Sequence, residues 1–285
     1  MADEEVPRIQ LIAIPGIPLI QAGDDLAAIL LDCLTTADLR LQDGDVLVVT
    51  SKIVSKAEGR LVRLSEVVPS PQAVEVAAAC EKDQRLVEVI LRESNRVLRT
   101  RAGLIIVEDR RGFVCANAGV DHSNVVGEDR VLLLPEDPDA SAAALRGRLE
   151  AATGARIGVI IADSHGRAFR MGTVGVAIGA SGVAGLLDLR GRPDLFGYRL
   201  QVTQVAIGPR TRRRSVGLVL VRSDRPDRLE GQQVLRADEI AAAASLLMGQ
   251  ANEGRPAVLV RGLPYPLREG NARELIRPRE LDLFR

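Results

Sequence analysis

Short apolar segments, mostly β-branched, recur along the chain at Ile9 to Ile14, Val46 to Val49, Leu104 to Val107, Val131 to Leu134, Ile157 to Ile161, Val202 to Ile207, Val216 to Val221 and Val258 to Val260. Continuous apolar runs of this length, bounded by polar turns, predict strands, many of them buried on both faces. Between them, three-to-four-residue periodicity predicts helices over Asp24 to Leu34, Pro71 to about Leu98, Ser141 to about Ala152 and Ala237 to Met248. Ser70 before Pro71 is a good helix opening, a capping hydroxyl followed by a residue whose missing N–H costs nothing in the first turn. Strands and helices that mix without strict alternation predict a mixed α/β (α+β) fold.

Neither G-x-x-x-x-G-K-[ST] nor G-x-G-x-x-G occurs, so a P-loop or Rossmann cradle is not expected. Glycines recur every three or four residues from Gly172 to Gly185, a pattern that serves either close packing of elements or backbone approach to a ligand, packing being the commoner use. No internal repeat or low-complexity linker divides residues 1–285. The polar tail 268–285 is expected to be mobile or to dock on a partner subunit.

Composition changes the picture at three points. Aromatic residues are only 2% of a chain that is 46% hydrophobic, so the core is built from Ala, Val, Leu and Ile. Basic and acidic residues both number 38, which removes the global positive field of a nucleic-acid or anionic-membrane binder. An acidic N-terminus, prolines at 15 and 18, and no uninterrupted apolar span predict a cytoplasmic protein. The arginines at 210 and 212–214 lack accompanying aromatics and read as a solvated hairpin rather than an RNA-binding patch. Cys33, Cys80 and Cys115 are odd in number and widely spaced, as befits reduced core thiols.

Against an arginine-rich background the only lysines are Lys52, Lys56 and Lys82. If Ser51 starts a helix, Lys52 and Lys56 share one face, where two compact ammonium groups suit phosphate oxygens as readily as they suit a solvated surface. Both histidines sit beside aspartates just after apolar strands, in Asp121-His122-Ser123-Asn124 and Asp163-Ser164-His165-Gly166. Asp121 and Asp163, with hydroxyls such as Ser164, have the chemistry to hold a hard divalent cation, although each could instead cap a turn through its own backbone. Zinc and serine-hydrolase chemistry lack their accompanying motifs. Gly249 and Gly254 flank a polar loop after the last helix, which by itself reads as a helix stop.

The motifs SKIVSKAEGR, CANAGVDHSNV, ADSHGRAFRMGTVGVAIG, RGRPDLFGY and ADEIAAAASLLMGQANEG, with the opening GIPLI, resemble in order those of the coenzyme F420-0:L-glutamate ligase (F420 gamma-glutamyl ligase) family, from about Ile9 to Gly262. The resemblance implies a mixed α/β F420 ligase-like fold of two lobes in a homodimer. It implies GTP-dependent addition of L-glutamate to the carboxylate of coenzyme F420-0 through an acyl phosphate, assisted by two Mg2+ or Mn2+ ions and, in some members, K+. Carried over position by position, nucleotide contacts fall on Gly16, Ile17, Pro18, Leu19, Ile20, Ser51, Lys52, Lys56, Asn124, Met248, Gly249, Gln250, Ala251, Asn252, Glu253, Gly254 and Arg255. Metal ligands fall on Asp121, Asp163, Ser164 and Gln250, and the catalytic set on Asp121, Asp163, Lys52 and Lys56.

Three features depart from that pattern. Ser164 stands where the family usually has Thr, His165 where an aromatic residue is more usual, and His122 where an acidic one is. Residues 208–236 look like an insertion. A ligase of the same chemistry on a different carboxylate acceptor, and a non-catalytic nucleotide-binding module, are the alternatives. Arg167, Arg170 and Arg190 are candidates to receive the glutamate carboxylates.

Overall fold

Strand β2 (Val46–Thr50) explains the architecture, because its first four residues are all buried and so face two cores. Leu47 and Val49 point to one side and Val46 and Val48 to the other, the two-residue alternation of an extended chain. In this computed structural model, which describes residues 7–125, 127–188, 191–199, 204–205, 237–250 and 252–281, β2 lies mid-sheet. The order is β1 (Gln10–Ala13), β12 (Ala257–Arg261), β2, β8 (Gly158–Gly166) and β9 (Thr173–Ser181). Only the β2–β8 pair is parallel, so the sheet has neither Rossmann nor P-loop topology.

One face is covered by α1 (Leu26–Thr36), α2 (Ser51–Ala57) and α5 (Pro138–Thr153). Helix α6 (Ala237–Met248) covers the other. The helices begin where the side chains dictate. Asp25 accepts from the amide of Ala28, and Asp137, followed by Pro138, accepts from that of Ala140.

Strand β9, which the glycine spacing left undecided, is a packing strand. A bulge at Ile178, opposite the Ile161–Ala162 step of β8, reverses the side on which residues fall. Gly175 therefore meets α6, where a Cβ would lie 2.7 Å from the carbonyl oxygen of Ala241, and Gly179 meets α5, where it would lie 2.4 Å from that of Pro138. Two helix carboxylates catch amides flanking the bulge, Asp238 that of Ala177 at 2.9 Å and Asp139 that of Ala180 at 2.8 Å.

A second lobe has its own core around Val87, Ile90, Ile105 and Val107. It contains β3 (Leu61–Arg63) paired with β7 (Arg130–Leu132), and β4 (Ser94–Arg101), β5 (Leu104–Asp109) and β6 (Val114–Ala116) in one sheet. The helix predicted from Pro71 to Leu98 is two helices and a strand. Helix α3 (Pro71–Cys80) stops at Glu81, whose φ of 55° is left-handed, and α4 (Gln84–Arg92) restarts on Asp83, which caps the amide of Arg85. Beyond Glu93 the chain is β4. Arg60 and Arg111 each donate to the Glu93 carboxylate and to the carbonyl of Leu134 where the lobes meet.

Strands β10 (Leu187–Asp188) and β11 (Gln204–Val205) pair antiparallel. The predicted strand Val216 to Val221 and the segment 208–236 lie outside the described residues. Part of the tail packs on its own chain: Ala272 is buried with its amide on Asp139, and Glu274 accepts from the amide of Gly185. Among the described residues no helix is long and apolar enough to cross a membrane.

Candidate active site

The parallel register of β2 and β8 aligns Thr50 with Ala162, so the next residues, Ser51 and Asp163, emerge side by side. Ser51 Oγ donates to Asp163 Oδ1 at 2.8 Å. Asp163, Ser164 and His165 lie within β8, paired with β9, rather than in a loop after the strand as their sequence context suggests. Strand hydrogen bonding fixes their backbone, which a loop would leave freer.

Helix α2 starts at Ser51 and sets Lys52 and Lys56 on one face. Lys52 Nζ is 2.7 Å from Asp121 Oδ2 and also donates to Ser123 Oγ. Ser123 in turn donates its amide to Asp121 Oδ1 at 2.8 Å and its hydroxyl to Oδ2 at 2.6 Å. Burial pushes the Asp121 carboxyl up, but the hydrogen bonds from Lys52 and Ser123 outweigh it and hold the group below its ordinary range. Lys56 is moved the other way: burial first, then the charge of Lys52, lowers its ammonium below the usual lysine range. An anion arriving beside the two lysines relieves that penalty.

After α6, Gln250 brings Oε1 to 2.9 Å from Ser164 Oγ and 3.5 Å from Thr173 Oγ1. Ser51, Lys52, Lys56, Asp121, Ser123, Asp163, Ser164 and Gln250 line one cleft of about 640 Å3. Its walls are the 17–20 loop, the end of β2 with α2, the 116–124 turn with residues 132–134, residues 162–164 of β8, and the segment after α6.

Of the residues singled out from the sequence, Ile17, Pro18, Leu19, Ile20, Ser51, Lys52, Lys56, Asp121, Asn124, Asp163, Ser164, Met248, Gly249, Gln250, Asn252, Glu253, Gly254 and Arg255 all line this cleft. Gly16 forms the left-handed turn just before it, at φ 77°, and Ala251 lies outside the described residues. His165 and His122 are not among the lining residues. His165 Nε2 is buried 3.2 Å from Asp163 Oδ2 without hydrogen-bond alignment, and its ring meets the edge of Phe113, whereas His122 is exposed. Arg167 donates to the carbonyl of Met171, and Arg190 lies outside the described residues. Among the described residues no three His, Cys, Asp or Glu side chains gather into a metal cluster, so any cation here draws on hydroxyl and amide oxygens as well.

Sequence reasoning passed over Ser123, which links Lys52 to Asp121, and also Ser55, Asn117 and Thr173. The only signal for Ser123 was its place in the Asp-His-Ser-Asn motif. Ser55 offered its spacing of four from Ser51.

The sequence model of the F420-0:Gamma-glutamyl ligase family matches residues 16–209 and 222–262. Proteins named Coenzyme F420:L-glutamate ligase are similar over almost the whole chain. The one from Methanothermobacter thermautotrophicus is 44% identical over 97% of this chain and 99% of its own. That of Methanopyrus kandleri is 44% identical over 98% and 99%, and that of Archaeoglobus fulgidus 43% over 98% and 97%. With the fold, the cleft motifs and these matches in agreement, the chain belongs to the F420-0:gamma-glutamyl ligase family.

Proposed function

We propose that this protein is a cytoplasmic ligase that joins L-glutamate to the carboxylate of coenzyme F420-0 by an amide bond, converting GTP to GDP and phosphate. The observation that carries the reading is the convergence of Lys52, Lys56, Asp121, Asp163, Ser164 and Gln250 on one cleft. The printed names of the relatives support the substrate pair.

A carboxylate acylates amines poorly until one oxygen becomes part of a leaving group. In the proposed sequence a carboxylate oxygen of F420-0 attacks the γ-phosphorus of GTP, the bond to the bridging oxygen breaks, and GDP departs with the electron pair. The glutamate amine then attacks the acyl carbon, the C–N bond forms, inorganic phosphate leaves, and the nitrogen loses its proton. Lys52 and Lys56 hold phosphate oxygens, and positioning with charge stabilisation supplies most of the acceleration. Ser51 holds Asp163 in place.

The oxygen donors fit a hard divalent cation: two carboxylates, the Ser164 hydroxyl and the Gln250 carbonyl. Ser164 Oγ and Gln250 Oε1 are 2.9 Å apart, close to the roughly 3 Å between adjacent oxygens around a cation with bonds of about 2.1 Å. Two Mg2+ or Mn2+ ions, with K+ as a further ion, would neutralise phosphate charge there. Phe169, Met171, Leu195 and Phe196 are each more than nine-tenths exposed, which supports assembly as a homodimer.

The test is mass spectrometry of F420-0 incubated with the protein, L-glutamate, GTP and Mg2+ or Mn2+, alongside a GDP assay. One glutamyl increment per GDP supports the reading. GTP binding without an increment indicates another carboxylate acceptor.

A further inference from the structure

Two polar atoms in the wall of the cleft have no hydrogen-bond partner among the described residues, Ser55 Oγ and Asn117 Oδ1, and both are buried. Ser55 lies on α2 one turn beyond Lys52 and is 1% exposed. A helical hydroxyl with no other role normally bonds the carbonyl four residues back, as those of Thr35, Ser141 and Thr153 do in this chain. Ser55 makes no such bond.

Asn117 sits in the turn that leads to Asp121. Asn117 and Ala118 take φ of 52° and 54°, and Gly119 follows at 70°. Ala118 has no polar side chain to favour that conformation, so surrounding packing imposes it: Ala118 is 1% exposed and belongs to the core of the second lobe. A buried side-chain carbonyl without a partner, on left-handed backbone in a residue that lines a cleft, marks a place where a ligand completes the hydrogen bonding.

We propose that Ser55 and Asn117, which both line the cleft, accept hydrogen bonds from N–H groups of one substrate. A side-chain carbonyl accepts only, and a hydroxyl can accept, so their common complement is a donor. These acceptors therefore differ in role from the neighbouring donors Lys52 and Lys56. Three sources carry such a group: the ring N–H of the nucleotide base, the ammonium of L-glutamate, and a ring or amide N–H of F420-0. The choice of these probes rests on the ligase reading.

The experiment measures Kd and KM for GTP, L-glutamate and F420-0 in wild type, Ser55→Ala, Asn117→Gly and Asn117→Asp, with thermal melting as the folding control. Glycine suits the left-handed φ while removing the side chain, and aspartate keeps the acceptor oxygens. We expect Asn117→Gly and Ser55→Ala to weaken one of the three by about ten- to hundredfold, leaving the other two within a few-fold, and Asn117→Asp to bind that substrate nearly as wild type does. The identity of that substrate assigns the source. A ring N–H of guanine is further separated by inosine triphosphate, which keeps the ring donor and lacks the exocyclic amine. Unchanged affinity for all three substrates, an equal loss for all three, or a wild type that binds none of them overturns the proposal. Binding without turnover in wild type counts against the ligase reading instead, and the Kd comparison still decides the proposal.

Discussion

Ser51 Oγ and Asp163 Oδ1 lie 2.8 Å apart although 112 positions separate them, because two parallel strands end in register. The same pairing that builds the sheet brings the start of the lysine helix to the carboxylate strand. Asp163 is thereby oriented before any ligand arrives, which is the condition for electrostatic catalysis without reorganisation.

Asp163→Asn keeps an oxygen to accept from Ser51 and removes the charge. Turnover should fall at least about a hundredfold, the usual cost of losing a preorganised charge contact, while the melting temperature changes by no more than a few degrees. Steady-state GDP release with a parallel thermal melt checks this. Retained turnover would remove Asp163 from the reacting centre.

Lys56→Ala removes a charge that burial and Lys52 already disfavour. The folded-state value lies below the unfolded one, so between the two the unfolded chain binds more protons and stability rises with pH. That rise should disappear in the variant, whose ligand-free melting temperature at neutral pH should equal or exceed wild type. GTP affinity should drop by about ten- to hundredfold, as for a lost charge-assisted contact. In wild type GTP should take up protons at alkaline pH, visible as a binding enthalpy that depends on the buffer. A loss of stability without a loss of GTP affinity would make Lys56 structural.

Much of this site was legible beforehand, and for physical reasons. Val46 to Val49 announces a strand with no free face, and two lysines four apart in an arginine-rich chain stand out by composition. Other parts were hidden. Cys80-Glu81-Lys82-Asp83 breaks the helix without glycine or proline, since Glu81 adopts left-handed φ and Asp83 caps the restart. Strand β4, Ser-Asn-Arg-Val-Leu-Arg-Thr-Arg, is mostly exposed, so its alternation gives no buried stripe to find. The role of each glycine in β9 depends on a one-residue bulge, which only the pairing with β8 reveals. Asn117 and Ser55 were missed because an unsatisfied atom is a property of the assembled cleft.

Gly179→Ala and Gly147→Ala should have opposite effects. The first drives a methyl to 2.4 Å from the backbone of Pro138, which cannot swing away, and should cost about 1–3 kcal/mol. The second lies exposed in the middle of α5 with open space around it, and should stabilise by about 0.5–1 kcal/mol. Urea unfolding of both variants checks the packing assignment. A neutral Gly179→Ala would mean that β9 and α5 are not in close contact.

Cys115 is buried on β6, where desolvation, reinforced by the charges of Asp109 and Asp163, pushes its thiol up to about 12. A thiolate is the reactive form, so this thiol is inert at neutral pH despite its nearness to a charged cleft. Cys33 and Cys80 are buried too. Alkylation of native protein by N-ethylmaleimide should therefore be slow at all three positions and complete in denaturant, as read by intact mass. The linkage has a defined sign. Because folding raises the value, the stability from the protonated Cys115 is fully present below the ordinary thiol range of about 8.5 and is lost as pH rises towards 12. Cys115→Ala should flatten the alkaline fall in stability relative to wild type. Rapid labelling of Cys115 in the native protein would instead require that β6 open readily, exposing the strand that packs against β5 beside the cleft.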